Sequence, residues 1–302
     1  MNNLSLCVTA YNESKRGNFA WIRECLAPAV DNPMVSEIVI TNDGTPDFPD
    51  LQAAVAGTPK LRLIQNASNL QVFGNKLKSV YQATGEWVLL CDSDNIMRAD
   101  YYDRLAALGE WDRDTWYCAS QAKPTFDYWP FIGRHALADY PNLVPRDPSM
   151  FWCFVNTGNQ LVHRETFLSI FGHLRGTRFD HAQPFYFNRK DRDDPKWLLA
   201  YGANDSFYMM KEWLLAGKIV HCVDGLEYAH RTGIGDQSNY DRGPVEKMAI
   251  SPAYYLEMVQ RIQNNPTLFT YSKMIPQGCE FLQKNGRKAT VGMSTGRVEV
   301  HK

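Results

Sequence analysis

Short apolar runs alternate with segments of helical periodicity over the first hundred residues of the chain. Four runs rich in large apolar residues predict buried strands, at residues 4–9, 37–41, 61–65 and 87–91. Between positions 72 and 84 the apolar residues recur at i, i+4, i+7 and i+8, which predicts an amphipathic helix ending before Gly85. Apolar strands that alternate with helices are typical of a mainly parallel sheet covered by helices on both faces, an α/β fold.

Polar residues directly follow three of these predicted strands. The first strand leads into Tyr-Asn-Glu at positions 11–13, the second into Asn42 and Asp43, and the fourth into Asp92 and Asp94. In open sheets of this kind, ligands bind beyond the carboxyl ends of the strands. The pattern therefore predicts a binding site where the three polar segments meet.

The sequence Asp92-Ser93-Asp94 is compatible with a metal site and with an Asp-rich turn. Mg²⁺ or Mn²⁺ is commonly held by one or two carboxylates together with phosphate oxygens of a substrate. Aspartate also favours turns for conformational reasons alone. Because two further polar turns end other predicted strands, we favour the metal site.

Beyond residue 110 the pattern becomes less regular. Residues 111–154 are dense in Trp, Tyr, Phe and Pro without a clear period, which predicts a long, partly irregular insertion that walls a pocket. Residues 174–196 are polar and of mixed charge, as is typical of a surface loop. A further helix is predicted over about residues 205–216, with Gly217 at its end.

The last part of the chain differs in charge from the rest. Nine Lys and Arg against five Asp and Glu give residues 241–302 a charge of +4, while the whole chain carries −1. Ser251 and Pro252 have the pattern of an N-cap followed by proline and predict a helix. The last twenty residues predict either disorder or a small hairpin. We therefore expect one α/β domain over residues 1–240 and a small helical or irregular C-terminal extension over 241–302.

Length and composition limit the class of protein. A chain of 302 residues can form one large domain or two modest ones, and 32 Lys+Arg against 33 Asp+Glu do not indicate nucleic-acid or membrane binding. The seven cysteines are scattered and never spaced C-x-x-C, which argues against a disulfide framework and a zinc knuckle. The sequence has no transmembrane pattern and no signal-peptide pattern, so we expect a reduced, cytoplasmic protein.

Five blocks of the sequence resemble the signatures of glycosyltransferase family 2, whose members have the GT-A fold. They are L-C-V-T-A-Y-N-E, I-V-I-T-N-D-G-T, G-E-W-V-L-L-C-D-S-D-N, N-T-G-N-Q-L-V-H-R-E-T-F and G-A-N-D-S-F-Y-M-M-K-E-W-L-L-A-G-K. The resemblance covers about residues 4–235. It implies a Rossmann-like, mainly parallel sheet with a nucleotide-binding half over residues 1–110 and an acceptor-side half over residues 111–240.

The resemblance also implies a role for individual residues. It places the general base at Asp205 and the metal ligands at Asp94 and His230. Asp43 corresponds to the carboxylate that accepts the imide N–H of the base, which favours uridine. The remaining nucleotide-sugar-binding positions are Thr9, Ala10, Tyr11, Glu13, Lys76, Asp92, Ser93 and Asn159.

Four positions depart from the pattern of the family. Asn42 and Asn204 stand where the family often has Asp and Glu, and Gln71 and Leu77 replace a Gly and an Asn. The first change keeps the more important carboxylate, Asp43. The second gives the expected base a neutral neighbour in the sequence.

The expected function is therefore metal-dependent, inverting transfer of a sugar from a nucleotide sugar, with uridine diphosphate (UDP) as the expected carrier, to a hydroxyl acceptor. The expected cofactor is Mn²⁺ or Mg²⁺ and the expected acceptor is a glycan; a protein, a lipid-linked sugar or a modified nucleic-acid base are alternatives. A nucleotidyltransferase and an inactive sugar-nucleotide-binding protein are the competing functions. We expect some of the aromatic side chains of the insertion to line the acceptor cleft, among Trp111, Trp116, Tyr128 and Trp129.

Overall fold

A nine-stranded mixed sheet organises the chain in the computed structural model, which describes residues 3–123, 126–128, 131–132, 158–172, 205–231, 288–291 and 298–301. The strand order is β3-β2-β1-β4-β8-β6-β9-β5, and β7 pairs with β6 outside this path. Within the group β1 to β4, each pair of neighbouring strands is parallel, as the alternating pattern predicted. The other strands extend this half into a mixed sheet.

The four strands and helix α3 of the first half agree with the predicted elements to within a few residues, whereas α1 and α2 were not predicted. The strands are β1 (Leu4–Ala10), β2 (Val35–Asn42), β3 (Leu61–Gln65) and β4 (Trp87–Asp92), and the helices are α1 (Ala20–Val30), α2 (Phe48–Ala54) and α3 (Gln71–Gln82). Strands β1, β2 and β4 are almost wholly buried, which explains their continuous apolar sequences. Helix α3 packs its apolar face on β1 and β2.

The second half begins with β5 (Asn95–Met97), two residues after β4. It continues with α4 (Tyr101–Ala106), β6 (Thr115–Lys123), β7 (Phe126–Asp127), β8 (Gln160–His163), α5 (Arg164–Phe171), α6 (Asp205–Leu215) and β9 (Ile219–His230). Although β4 and β5 are separated by Ser93 and Asp94 alone, three strands lie between them in the sheet order. The sheet must therefore curl, which brings the end of β9 close to the end of β4.

The interpretation of residues 111–154 as an irregular insertion is wrong in its first part. Strand β6 lies inside the sheet, between β8 and β9. Trp111, Trp116 and Tyr128 belong to the hydrophobic core and do not line a cleft, and Trp129 is outside the described residues. The strand shows no alternation because seven of its nine residues are buried, so both of its faces are covered.

Of the two alternatives for the last twenty residues, the structure has the strand pair of a hairpin: β10 (Lys288–Val291) and β11 (Val298–His301) are antiparallel. The loop predicted at 174–196 and the helix predicted from Ser251 lie outside the described residues. Among the helices that the structure describes, none combines the length and the apolar character needed to cross a membrane.

Gln71, at the start of α3, has a left-handed backbone with φ 64°. This conformation costs most L-residues about 1–2 kcal/mol but costs glycine almost nothing. We expect Gln71→Gly to leave the free energy of unfolding unchanged or to raise it by up to about 1 kcal/mol, since the greater freedom of the unfolded chain offsets part of the gain. The control is Gln52→Gly within α2, which should cost about 0.5–1 kcal/mol. Urea denaturation of both variants measures the difference; equal losses at the two positions would contradict it.

Candidate active site

The carboxyl ends of β1, β2 and β4 meet at one edge of the sheet, as the polar segments predicted. Thr9 pairs with Asp92 across β1 and β4, and its hydroxyl donates to Asp92 Oδ1 at 3.0 Å. The backbone N–H of Asp43 donates to the carbonyl of Ala10 at 2.9 Å, and that of Ser93 donates to the carbonyl of Thr9 at 3.2 Å. The three polar segments are therefore fixed to one another by strand register and backbone hydrogen bonds.

Asp43 is held in a buried pocket between β2 and the start of α3. Its Oδ1 accepts hydrogen bonds from the backbone N–H of Leu70 at 2.6 Å and from Asn66 Nδ2 at 3.2 Å. Gly44 permits this approach, because its φ is 71° and a Cβ there would lie 2.6 Å from the carbonyl carbon of Ser68. Burial raises the pKa of Asp43 to about 6, against the lowering effect of these hydrogen bonds.

Lys76 connects two carboxylates of the site. Its Nζ lies 3.1 Å from Asp92 Oδ1 and 2.7 Å from Asp205 Oδ2, and only 1% of its side chain is exposed. Burial lowers the pKa of Lys76, but the charges of Asp205 and Asp92 outweigh it and the net shift is upward. Burial likewise raises the pKa of Asp92, but Lys76 outweighs it and the net shift is downward. Lys76 and Asp92 are therefore both charged near neutral pH.

Asp205 is the first residue of α6, as predicted, and is almost fully buried. The negative charge of its carboxylate is favoured there by the dipole of the helix. Helix α6 packs against α3, which carries Lys76. The fold thus brings Asp205 to Asp92 from a position more than a hundred residues away in the sequence.

Asp94 faces a cation of the chain itself. Arg16 Nη1 lies 3.3 Å from Asp94 Oδ2 and donates to the hydroxyl of Ser93 at 3.2 Å. Burial raises the pKa of Asp94; Arg16 lowers it and Asp92 raises it, and the net shift is upward. Sequence reasoning missed Arg16, because a single arginine after β1 belongs to no motif.

Glu13 lies close to Arg16 and Asp94 and is completely buried. Its Oε1 accepts from the Ser93 hydroxyl at 2.6 Å and from the backbone N–H of Tyr11 at 3.1 Å. Burial raises the pKa of Glu13 to about 7, against the charge of Arg16 and these hydrogen bonds. The described contacts of Glu13 join the turn after β1 to the turn after β4.

Tyr11 and Asn159 differ in exposure. Tyr11 is 38% exposed, which leaves its ring available to a ligand at the sheet edge. Asn159 is fully buried, and its Oδ1 accepts from Asn95 Nδ2 at 2.8 Å. Asn159 therefore supports the chain just after Asp94 in this structure.

His230 ends β9 and pairs with Asn95 of β5, which places it beside the Asp92–Asp94 turn. Burial lowers the pKa of His230, although Asp94 and Asp92 oppose the shift. Within the described part of the chain, no group of three or more His, Cys, Asp or Glu residues forms a complete protein-only metal site. A carboxylate and a neutral imidazole still fit an Mg²⁺ or Mn²⁺ ion whose other ligands are phosphate oxygens and water.

Solved structures share this fold. TarS from S. aureus, solved with UDP-GlcNAc, is 15% identical with a TM-score of 0.54, over 93% of this chain and 80% of TarS. The mannosyltransferase PcManGT from Pyrobaculum calidifontis, solved with GDP-Man and Mn²⁺, is 14% identical with a TM-score of 0.52, over 94% of this chain and 75% of its own. GalNAc-T7, solved with UDP, GalNAc and Mn²⁺, is 11% identical with a TM-score of 0.50, over 95% of this chain and 56% of its own.

At these identities the structural likeness establishes the GT-A fold. None of the curated proteins matches the chain in sequence. The sequence model described as "Glycosyl transferase family 2" matches residues 5–198, which is well over half of the chain and includes the turns that carry Asp43, Asp92 and Asp94. The chain therefore belongs to glycosyltransferase family 2 and is a glycosyltransferase.

Proposed function

We propose that the protein is a metal-dependent, inverting glycosyltransferase that moves a sugar from a UDP-sugar to a hydroxyl group of a glycan. The observation that carries the proposal is the convergence of Asp92, Asp94 and Asp205, which come from two distant parts of the chain, at the carboxyl edge of the sheet. Residues 1–110 supply the nucleotide side of this site and Asp205 supplies the acceptor side.

The nucleoside lies in the pocket formed by the turns after β1 and β2. The exposed ring of Tyr11 stacks on the base, and the Asp43 carboxylate accepts the imide N–H of uracil. Guanine also presents an N–H to a carboxylate, so the preference for uridine depends on the size of this pocket. TarS was solved with UDP-GlcNAc and GalNAc-T7 with UDP, which agrees with uridine, whereas PcManGT was solved with GDP-Man.

Asp94 and His230 would hold the divalent ion, for which Asp94 would have to give up its contact with Arg16. The ion, when bound, acts as a Lewis acid that offsets the charge of the leaving diphosphate. Ser93 and Glu13 keep the turn in position through the bond between their side chains. Asp94, His230 and the turn that carries Asp94 thus act on the leaving diphosphate and not on the acceptor.

Asp205 is the general base. The acceptor hydroxyl oxygen attacks the anomeric carbon, its proton passes to the Asp205 carboxylate, and the bond from the anomeric carbon to the diphosphate oxygen breaks with both electrons going to the diphosphate. A single displacement of this kind inverts the configuration at the anomeric carbon. A carboxylate fixed at the start of a helix is well suited to it, because a general base must stay within hydrogen-bond reach of the hydroxyl.

The experiment that tests this proposal is a panel of nucleotide sugars with uridine, guanosine, cytidine and thymidine carriers. Each is incubated with the protein and candidate acceptors, with Mn²⁺ or with EDTA, and nucleotide diphosphate release is measured. We expect release of UDP from UDP-sugars in the presence of Mn²⁺, and no release from the other nucleotide sugars or in the presence of EDTA. Release of inorganic diphosphate in a parallel incubation with nucleoside triphosphates and sugar 1-phosphates would indicate a nucleotidyltransferase. Binding of a nucleotide sugar without any release would indicate an inactive sugar-nucleotide-binding protein.

Asp43→Asn is expected to weaken UDP binding at least tenfold. The amide oxygen still accepts from the backbone N–H of Leu70, so the pocket is kept. The amide nitrogen, however, donates where the uracil imide also donates, and one lost hydrogen bond to a charged group is worth about 1.5–3 kcal/mol. Calorimetric titration with UDP and with CDP measures the change. The ratio of UDP to CDP affinity should fall, since N3 of cytosine is an acceptor; an unchanged ratio would mean that Asp43 does not contact the base.

UDP affinity is expected to fall as the pH is lowered through about 6. Asp43 has a pKa of about 6, so it is an ionised acceptor above that pH and a protonated group below it. The same titration at pH 7.5, 6.5 and 5.5 measures the effect. In Asp43→Asn the part of the pH dependence due to this carboxyl should vanish, and a pH dependence identical to that of wild type would contradict the assignment.

A further inference from the structure

Lys76 is placed between two parts of the site that work on different substrates. It comes from α3, whereas Asp92 ends β4 and Asp205 begins α6. Its Nζ contacts a carboxylate oxygen of each, at 3.1 Å and 2.7 Å. Asp92 is on the nucleotide side and Asp205 is on the acceptor side. The ammonium group of Lys76 therefore connects the two sides of the site.

The geometry differs from that of a residue that binds the nucleotide directly. Only 1% of the Lys76 side chain is exposed, whereas 33% of the Asp92 side chain is. The ammonium group is enclosed by the two carboxylates and is turned away from solvent. A ligand in the cleft therefore meets Asp92 first.

We propose that Lys76 is a positioning residue that acts on sugar transfer through Asp205, by holding the carboxylate of the base in place and joining it to the nucleotide-side Asp92. This inference rests on the proposed function, in which Asp205 is the base. It assigns Lys76 to the acceptor step, whereas its place in the family pattern suggested a contact with the nucleotide.

The charges of the site support this assignment. Without Lys76, the nearly buried Asp205 would lose its cation while the Asp92 carboxylate remained on the other side of the vacated space. A buried carboxylate without a partner takes up a proton or turns toward water. In either state it no longer accepts the proton of the hydroxyl in the position the reaction needs. Lys76 thus holds the Asp205 carboxylate in the position that the reaction needs.

A double-mutant cycle between Lys76 and Asp205 tests the inference. Lys76→Met keeps the length of the side chain and removes its charge, and Asp205→Asn removes the base. We expect Lys76→Met to lower kcat at least tenfold, up to the full loss expected for Asp205→Asn, while the Kd for UDP with Mn²⁺ changes by less than about threefold. Because Lys76 acts through Asp205, adding Lys76→Met to Asp205→Asn should lower kcat by less than about twofold more.

Thermal unfolding of the same four proteins gives a second readout. Lys76→Met should lower the Tm, and adding Asp205→Asn to it should recover part of the loss, since one of the two uncompensated carboxylates is gone. Lys78→Met is the matched control, because Lys78 lies two residues further along α3 and therefore on another side of the helix. It should change kcat by less than twofold.

Two results would overturn the inference. In the first, Lys76→Met weakens UDP binding tenfold or more and leaves kcat unchanged, which would make Lys76 a nucleotide ligand. In the second, the losses of kcat multiply in the double variant, so that Lys76 acts independently of Asp205. If Lys76→Met does not fold, Lys76→Arg replaces it in the cycle, since it keeps the charge but displaces it. Near-normal turnover of Asp205→Asn alone would instead show that the proposed base is wrong, and the inference would fall with it.

Discussion

Asp205→Asn is expected to lower kcat by about 10²–10⁴-fold, the contribution of a positioned general base, and to leave UDP affinity in the presence of Mn²⁺ within about twofold of wild type. This difference between the effect on kcat and the effect on UDP affinity follows from the geometry. Asp205 contacts Lys76 at 2.7 Å on the side proposed for the acceptor, while the turns after β1, β2 and β4 form the side proposed for the nucleotide. Asparagine has the same size as aspartate, so the helix should persist. UDP release with saturating donor and acceptor measures kcat, and calorimetry measures UDP binding.

The control for this variant is Asp103→Asn, an exposed aspartate that also lies in the first turn of a helix, α4. It should have wild-type turnover. The anomeric proton of the product, observed by NMR, should show inverted configuration relative to the donor. A retained configuration, or near-normal turnover of Asp205→Asn, would place the base or a nucleophile elsewhere in the site.

The sheet edge could be predicted from the sequence because its signals are local. Each apolar run is followed at once by polar residues, and the register of β1 with β2 and β4 then brings Thr9, Asp43 and Asp92 together without further information. The start of α6 at Asp205 was equally local. Strand β6 was missed because, unlike β1 and β4, it shows neither alternation nor a continuous apolar run: its sequence TWYCASQAK mixes buried polar and small residues with aromatic rings.

The contacts that join these parts could not be predicted from local patterns. Lys76 meets Asp205 across a separation of more than a hundred residues, and Arg16 meets Asp94 across nearly eighty. Both pairs depend on how α3, α6 and the turn after β1 pack around the curled sheet. Glu13 was predicted as a nucleotide-sugar-binding residue, and its complete burial assigns it contacts with Ser93 and Tyr11 instead of a place on the open surface.

The pairing of β5 with β9 brings together the two residues that the family resemblance suggested as metal ligands, Asp94 and His230. Only Ser93 and Asp94 separate β4 from β5, and β5 pairs with the end of β9, so His230 is brought beside Asp94 by the backbone alone. The proximity of Asp94 and His230 therefore does not depend on the side-chain contacts of either residue.

Asp94→Ala is expected to abolish sugar transfer and to remove the effect of Mn²⁺ on UDP binding. The side chain of Asp94 is 21% exposed and its nearest cation is Arg16, which a divalent ion can displace. A metal ion contributes several kcal/mol of charge stabilisation as the diphosphate leaves, which corresponds to a loss of at least about 10³-fold in kcat. UDP titrations with Mn²⁺ and with EDTA should differ for the wild type and coincide for Asp94→Ala.

His230→Ala should reduce this difference without removing it, because one carboxylate and the phosphate oxygens still bind the ion. Arg16→Gln separates the metal from the resident cation: it should tighten Mn²⁺ binding measured without nucleotide, since Asp94 is then free of its competitor. Full turnover of the wild type in excess EDTA would contradict the metal site, and weaker Mn²⁺ binding by Arg16→Gln would mean that Arg16 holds Asp94 in the position that the ion needs.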